Sequence, residues 1–347
     1  MSGVSKAIVQ PLLSWYDAGH RDLPWRSEPA PYRVWVSEIM LQQTRVEAVR
    51  GYFSRWMNAL PDIPTLAAAD EAVYTKLWEG LGYYSRVRNL HRAAVLLCEE
   101  YGGELPADYD RLLALPGVGE YTAGAVASIA FGLPVPAVDG NVLRVAARLD
   151  NDFTPITDAK FKKHTRERFA ALMPSDRPGD LNQSLMELGA TVCLPNGAPR
   201  CGDCPIQHLC EGFHRGNAAV LPLRAAKKAR RVENRTVLVV RCGQLVGLRQ
   251  RPKKGLLAGL WELPSLDGHL SPDELRAALT EMDWSVRKLL SLRPAKHIFT
   301  HVEWHMNGVY VELDAPAPAL TFVTPAELRD AYALPSAFRS FVSVLED

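Results

Sequence analysis

The sequence predicts two domains, an all-α domain followed by a smaller α+β domain, and three observations carry that prediction. From residue 5 to about 220, apolar residues recur at helical spacing, and Pro, Gly and Asp punctuate the runs. From Arg235 onward the period shortens to that of strands. Between them, 218–234 carries Arg224, Lys227, Lys228, Arg230 and Arg231 with no strong apolar period, and reads as a linker, either solvated or a basic strap beside nucleic acid. A chain of 347 residues is long enough for two cores. The expected boundaries are therefore a helical domain over 1–217, a basic linker over 218–234 and an α+β domain over 235–347.

Taken in order, helices are expected over Ile8–Tyr16, Tyr32–Met57, Ala72–Leu81 and Val87–Tyr101. Leu112, Leu113 and Leu115 end a further helix, which Pro116 and Gly117 stop. Gly117 and Gly119 allow a tight hairpin, and small residues from Thr122 onward build a helix that packs closely on its neighbours. Helices follow over Asn141–Leu149, Phe161–Met173 and Leu181–Cys193. Strands are expected over Thr236–Val240, Leu245–Arg249, His297–His305 and Gly308–Leu313, with helices near Asp273–Thr280 and Pro325–Tyr332.

Composition places few limits on function. The 47% apolar content is that of an ordinary globular protein, and the net charge of +1 means that any nucleic-acid partner must meet a local basic face. The N-terminus lacks the apolar core of a secretory signal, and no run reaches membrane length, so neither secretion nor a membrane is expected; the cytoplasm of a prokaryote and a monomer are the default expectations. Cys193, Cys201, Cys204 and Cys210 bunch within eighteen residues, which suits a metal site in a reducing compartment better than a disulfide framework. For four thiolates, zinc is the generic occupant. Cys98 and Cys242 lie outside the set and read as structural.

Three stretches carry chemistry. Glycines at a helix entrance, as at Gly117 and Gly119, leave backbone N–H groups free for a phosphate. Asp139 stands where the helix of Asn141–Leu149 begins. Glu38 lies among apolar residues in Val-Ser-Glu-Ile-Met-Leu-Gln-Gln-Thr, where desolvation raises a carboxyl pKa and lets the group hold a proton near neutrality.

The combination of Leu-Pro-Gly-Val-Gly at 115–119, a Pro-punctuated loop and Asp139 resembles the helix-hairpin-helix DNA base-excision glycosylase superfamily. Ser37-Glu38-Ile39-Met40-Leu41-Gln42-Gln43-Thr44, Leu23-Pro24-Trp25-Arg26 and Leu181-Asn182-Gln183-Ser184 resemble its adenine-specific, MutY-type branch. The resemblance implies a DNA repair enzyme that flips out and excises adenine paired with 8-oxoguanine or guanine in double-stranded DNA. It implies that Glu38 protonates adenine at N7 and that Asp139 stabilises the sugar cation, with Tyr121 and Asn141 in support. Trp25, Arg26, Leu41 and Gln183 become adenine-pocket candidates. Gln43, Thr44, Gly117 and Gly119 become DNA contacts, and Tyr83, from Gly80-Leu81-Gly82-Tyr83-Tyr84, a wedge in the base stack.

The same resemblance implies a [4Fe–4S] cluster on the four cysteines rather than zinc. Seven residues separate Cys193 from Cys201, where the family usually has six. Lyase-active relatives of the endonuclease III type carry a Lys in the hairpin where this chain has Tyr121, which implies a largely monofunctional enzyme. Gly255–Pro264 resembles a Nudix fold, but Ser271–Arg276 lacks the glutamate series that a hydrolase needs, so the second domain is expected to read rather than cut. Phe299-Thr300-His301 stands where the family has Phe-Ser-His for recognising 8-oxoguanine.

Overall fold

The computed structural model describes residues 5–224 and 229–345. They fall into two compact units, one of residues 1–68 and 89–226, the other of residues 69–88 and 227–347. Lys227 and Lys228 of the expected linker lie outside the described residues.

In chain order the helices are α1 (Val9–Gly19), α2 (Pro31–Leu41), α3 (Val46–Ala59), α4 (Ile63–Ala68), α5 (Glu71–Leu77), α6 (Ser85–Tyr101), α7 (Tyr109–Ala114), α8 (Glu120–Phe131), α9 (Gly140–Leu149), α10 (Ala159–Ala170), α11 (Pro178–Thr191) and α12 (Glu211–His214). The continuous helix expected over Tyr32–Met57 is two helices. The backbone turns between them, and Gln43 takes a left-handed φ of 58°. The first unit's core gathers Leu12, Val142, Val145, Phe169, Leu185 and Leu188, all at most 2% exposed. From Thr122 to Ser128 helix α8 carries nothing larger than Val126, and that lets neighbours come close. A Cβ on Gly124 would stand 2.4 Å from the Pro136 carbonyl oxygen. Asn182 of α11 fastens the same loop. Its Oδ1 accepts from Ala137 N (2.9 Å), and its Nδ2 donates to Val135 O (2.9 Å) and Ser128 Oγ (2.8 Å).

The second unit is built on strands β1 (Arg231–Cys242), β2 (Leu245–Gln250), β3 (Trp261–Glu262) and β4 (Ser265–Asp267), then helix α13 (Pro272–Glu281), β5 (Val286–Ile298), β6 (Val302–Leu313), β7 (Thr321–Val323), α14 (Pro325–Ala331) and α15 (Arg339–Val342). The sheet runs β3-β2-β1-β6-β5, with β4 also on β1 and β7 on β2. Strands β1 and β6 pair in parallel from Arg231 opposite Val302 to Arg241 opposite Glu312. Alternation along β1 sends Val237 and Val239 to one face, with Trp304, Met306, Phe338 and Phe341, and Leu238 and Val240 to the other, with Leu275, Leu279 and Trp284. Strand β1 begins inside the stretch expected as linker. The segment 69–88, expected with the helical domain, groups with the sheet, where Leu334 N donates to Glu79 Oε1 (2.7 Å).

The strand expected over His297–His305 is instead the end of β5, a tight turn and the start of β6, closed by Phe299 N donating to Val302 O (2.8 Å). Most of β5 escapes sequence reading because Pro294 and two register shifts, at Val286/Lys288 and Leu292/Ala295, disrupt its alternation. Among the described residues no helix is long and apolar enough to cross a membrane.

The close approach at Gly124 yields a stability prediction. Gly124→Ala should lower stability by about 1–3 kcal/mol, because backbone and not a flexible side chain must move. Denaturant unfolding reads this directly, and an unchanged midpoint would contradict the packing described.

Candidate active site

Helix α2 is buried on nearly all sides, from Tyr32 to Met40, and so takes Glu38 out of water; the residue is 5% exposed. That burial pushes its carboxyl from the ordinary 4.5 up to about 7. A hydrogen bond from Tyr121 pulls the other way, the charge of Asp139 adds to the rise, and Arg26 opposes it. Tyr121 sits in the first turn of α8, donates to Glu38 Oε2 and lies 3.2 Å from Met186 Sδ. Its own hydroxyl is pushed well above the usual phenol range by burial and by the two carboxylates, so it stays a donor.

Asp139 caps α9. Its Oδ1 accepts from Asn141 N (2.9 Å) and Val142 N (2.8 Å), and its Oδ2 from Asn141 Nδ2 (2.6 Å). Burial raises its pKa against these bonds and the Arg144 charge. Arg144, 3% exposed, continues the chain by donating to Asn141 Oδ1 (2.7 Å), Gly189 O (2.7 Å) and Cys193 O (2.8 Å). Sequence reading passed over Arg144; the usable signal was its position three residues after Asn141, on the same face of a helix.

These groups surround a cavity of about 510 Å³. Trp25, Arg26, Leu41, Gln43, Thr44 and Gln183 all line it, together with Glu38, Tyr121, Asp139 and Asn141. The turn after α2 is what carries Gln43 and Thr44 there. Trp25 is buried with its ring edge-on to Phe53 at 5.6 Å. Arg26 is fixed by Glu187, which receives Arg26 Nη2 (2.8 Å) and Arg21 Nε (2.7 Å). Glu187 is 2% exposed; burial works against its charge, but the two guanidinium groups hold its pKa below the usual carboxylate range. It too was missed, although it lies one helical turn from Gln183.

The other expected site residues are placed as follows. Gly117 turns the hairpin at φ 77°, where a Cβ would meet Asn89 Cβ at 2.6 Å; Gly119 precedes α8 with open space beside it. In the second unit, Tyr83 is 45% exposed at φ 48°, and its hydroxyl lies 2.8 Å from Thr300 Oγ1. Thr300 and His301 are exposed at the turn between β5 and β6, while the Phe299 ring sits edge-on to Trp304 at 4.9 Å.

Cys193, Cys201, Cys204 and Cys210 line one small cavity of about 30 Å³, and Cys98 and Cys242 stand elsewhere. Arg148, at the far end of α9 from Asp139, donates to Cys193 Sγ (3.1 Å), and its carbonyl oxygen lies 3.3 Å from Cys210 Sγ. Burial raises the Cys201 and Cys210 thiols and pushes Cys204 up to about 12. Among the described residues, no three His, Cys, Asp or Glu side chains are gathered closely enough to hold a single metal ion.

Residues 36–171 match the family model of the HhH-GPD superfamily base excision DNA repair protein, and residues 236–344 match that of the NUDIX domain. Relatives include adenine DNA glycosylase of Mus musculus, 38% identical over 401 residues, an alignment covering 97% of this chain and 77% of the relative. Adenine DNA glycosylase of Homo sapiens is 35% identical over 386 residues, covering 92% of this chain and 70% of the relative. Among solved structures, a thermostable thymine-DNA glycosylase superposes with a TM-score of 0.54 at 27% identity, over 60% of this chain and 96% of that one.

Glu38 makes stability depend on pH. Its folded-state pKa lies above the ordinary value, so its contribution is complete below pH 4.5 and is lost as pH rises through about 7. Asp139 shifts in the same direction. Glu38→Gln should therefore gain on the parent by on the order of 3 kcal/mol between about pH 5 and about pH 8. Unfolding midpoints of the two proteins that run parallel over that range would contradict it.

Proposed function

We propose that this chain, which belongs to the adenine DNA glycosylase family, excises adenine paired with 8-oxoguanine or guanine by acid-assisted cleavage of the N-glycosidic bond. The observation that carries the proposal is the meeting of Glu38, Tyr121 and Asp139 at one cavity lined by Trp25, Leu41 and Gln183. Adenine is a poor leaving group as an anion and a fair one once protonated. A carboxyl with a pKa of about 7 holds a proton at working pH and can deliver it to N7 of a base seated in that cavity. Tyr121 then donates to the Glu38 carboxylate that remains and keeps it in place.

Loss of the base leaves an oxocarbenium-like sugar. Asp139, with its oxygens fixed by Asn141 and Val142, supplies the opposing charge, as a carboxylate does in retaining glycoside hydrolysis. Water completes the hydrolysis, activated by Glu38 as the base. Tyr121, not a lysine, stands at this position of the hairpin, which supports base removal without strand-cleaving lyase chemistry.

Four thiols around one pocket, with the Arg148 guanidinium against Cys193, form a donor set that fits a [4Fe–4S] cluster. Cys193, Cys201, Cys204 and Cys210 would hold it. Bound there, it supplies a covalent tie between the end of α11 and the loop that follows, and no part in the proton transfers. Phe299, Thr300 and His301 are the candidates for reading 8-oxoguanine, with the Thr300 hydroxyl as the hydrogen-bonding group and Tyr83 as the wedge.

Single-turnover release of adenine from duplexes with A opposite 8-oxoguanine, G or T tests the proposal. Release from the first two but not the third is expected; no release from any of them would refute it. Asp139→Asn should still bind the mispaired duplex but lose about 10²–10³-fold in release rate. Glu38→Gln should lose about 10²–10⁴-fold. In the parent the rate should fall as pH rises past about 7, because the proton on Glu38 is what departs; a rate that instead climbs through that range would remove Glu38 as the acid.

A further inference from the structure

A second hollow, of about 400 Å³, shares Tyr121, Asp139 and Gly140 with the larger cavity. Its outer wall includes Glu120 from the first turn of α8 and Lys162 and Arg166 from α10. The placement of the two cations follows from the helix period. Phe161, Thr165 and Phe169 bury one face of α10, and one residue further on, Lys162 and Arg166 stand four apart on the neighbouring face. Arg166 is paired with Glu120. Lys162 is exposed and makes no ion pair among the described residues.

The layout constrains how a nucleotide would sit. With the base in the larger cavity and Asp139 beneath the anomeric carbon, the deoxyribose must occupy the boundary that the two hollows share. A phosphate lies only a few bonds from that sugar carbon, and it leaves on the side away from the base, into the second hollow. There its charge would stand near the carboxylate of Asp139, a repulsion that needs nearby cations to offset it. Lys162 and Arg166 are the cations on that wall.

We propose that Lys162 and Arg166 clamp a backbone phosphate next to the flipped adenosine, and that Glu120 holds Arg166 until the phosphate takes its place. The proposal rests on the adenine-excising reading above. Both cations act here as positioning residues; neither touches the reacting bond.

The test is the salt dependence of DNA affinity for the full-length protein, measured on a duplex with A opposite 8-oxoguanine and on a fully paired duplex. Each phosphate neutralised contributes about 0.9 to the slope of log K against log salt. Lys162→Ala and Arg166→Ala should each weaken binding severalfold at low salt and flatten the slope in part, and the double variant should flatten it by about 0.9. Lys162→Arg should keep the slope, which separates loss of charge from damage to the helix. Glu120→Gln should tighten binding, and that gain should vanish when Arg166→Ala is added. Slopes equal to the parent's would overturn the clamp. Because affinity is read apart from base release, flattened slopes without adenine release would sink the activity and leave the clamp. Normal release with unaltered slopes would do the reverse.

Discussion

A carboxyl group kept out of water is the constraint on which the first unit depends. Helix α2 has to be apolar nearly all round to bury Glu38, so it has to lie inside the unit, and the elements packed on it become the walls of the cavity. Tyr121 reaches that carboxyl only because α8 is small-sided enough to approach α2. The same group would be an ordinary surface acid if α2 were amphipathic. The protein therefore gives up stability at neutral pH to keep one proton in place, as sites with perturbed carboxyls commonly do.

Helix α9 ties this chemistry to the rest of the unit. Asp139 caps its first turn, Arg144 links Asn141 to the backbone at Gly189 and Cys193, and Arg148 in its last turn meets the cysteine cavity. Every polar group on that line is bonded to the next, which leaves the Asp139 carboxylate little freedom to reorient. Burying two arginines in one helix is tolerable only because backbone carbonyls receive them.

Much of this was legible in the sequence, for physical reasons that differ by residue. Glu38 stood out as a charge amid apolar neighbours within a stretch that resembles the glycosylase family, and Asp139 through the resemblance of the hairpin, the Pro-punctuated loop and the acid before the next helix. The four cysteines were legible by their bunching. What escaped reading depended on tertiary packing. Nothing in Leu41–Arg45 announces a break, because no Pro or Gly marks it, and only the left-handed Gln43 makes the turn. Glu187 and Arg144 look like solvated helix charges until the partner helices are in place. The turn at Phe299–His301 was hidden because strand-forming residues flank it on both sides. The grouping of 69–88 with the sheet cannot be read from helical periodicity, which is blind to which core a helix joins.

Strand β5 has a further consequence outside catalysis. It closes one side of the sheet, runs from Val286 to Ile298 and, among the described residues, pairs with β6 alone, so its other edge carries a long row of backbone donors and acceptors without a strand partner. Such an edge is a template for strands from other chains. Here Pro294 removes one donor, the two register shifts kink the row, and Arg287, Lys288, Arg293 and Lys296 set cations along it, Arg287 and Lys296 paired with Glu312 and Glu303 of β6. A strand laid along this edge would have to pair across a bent ladder beside cationic side chains. The bends and the cations thus guard the edge of a strand long enough to end in the Phe299–His301 turn.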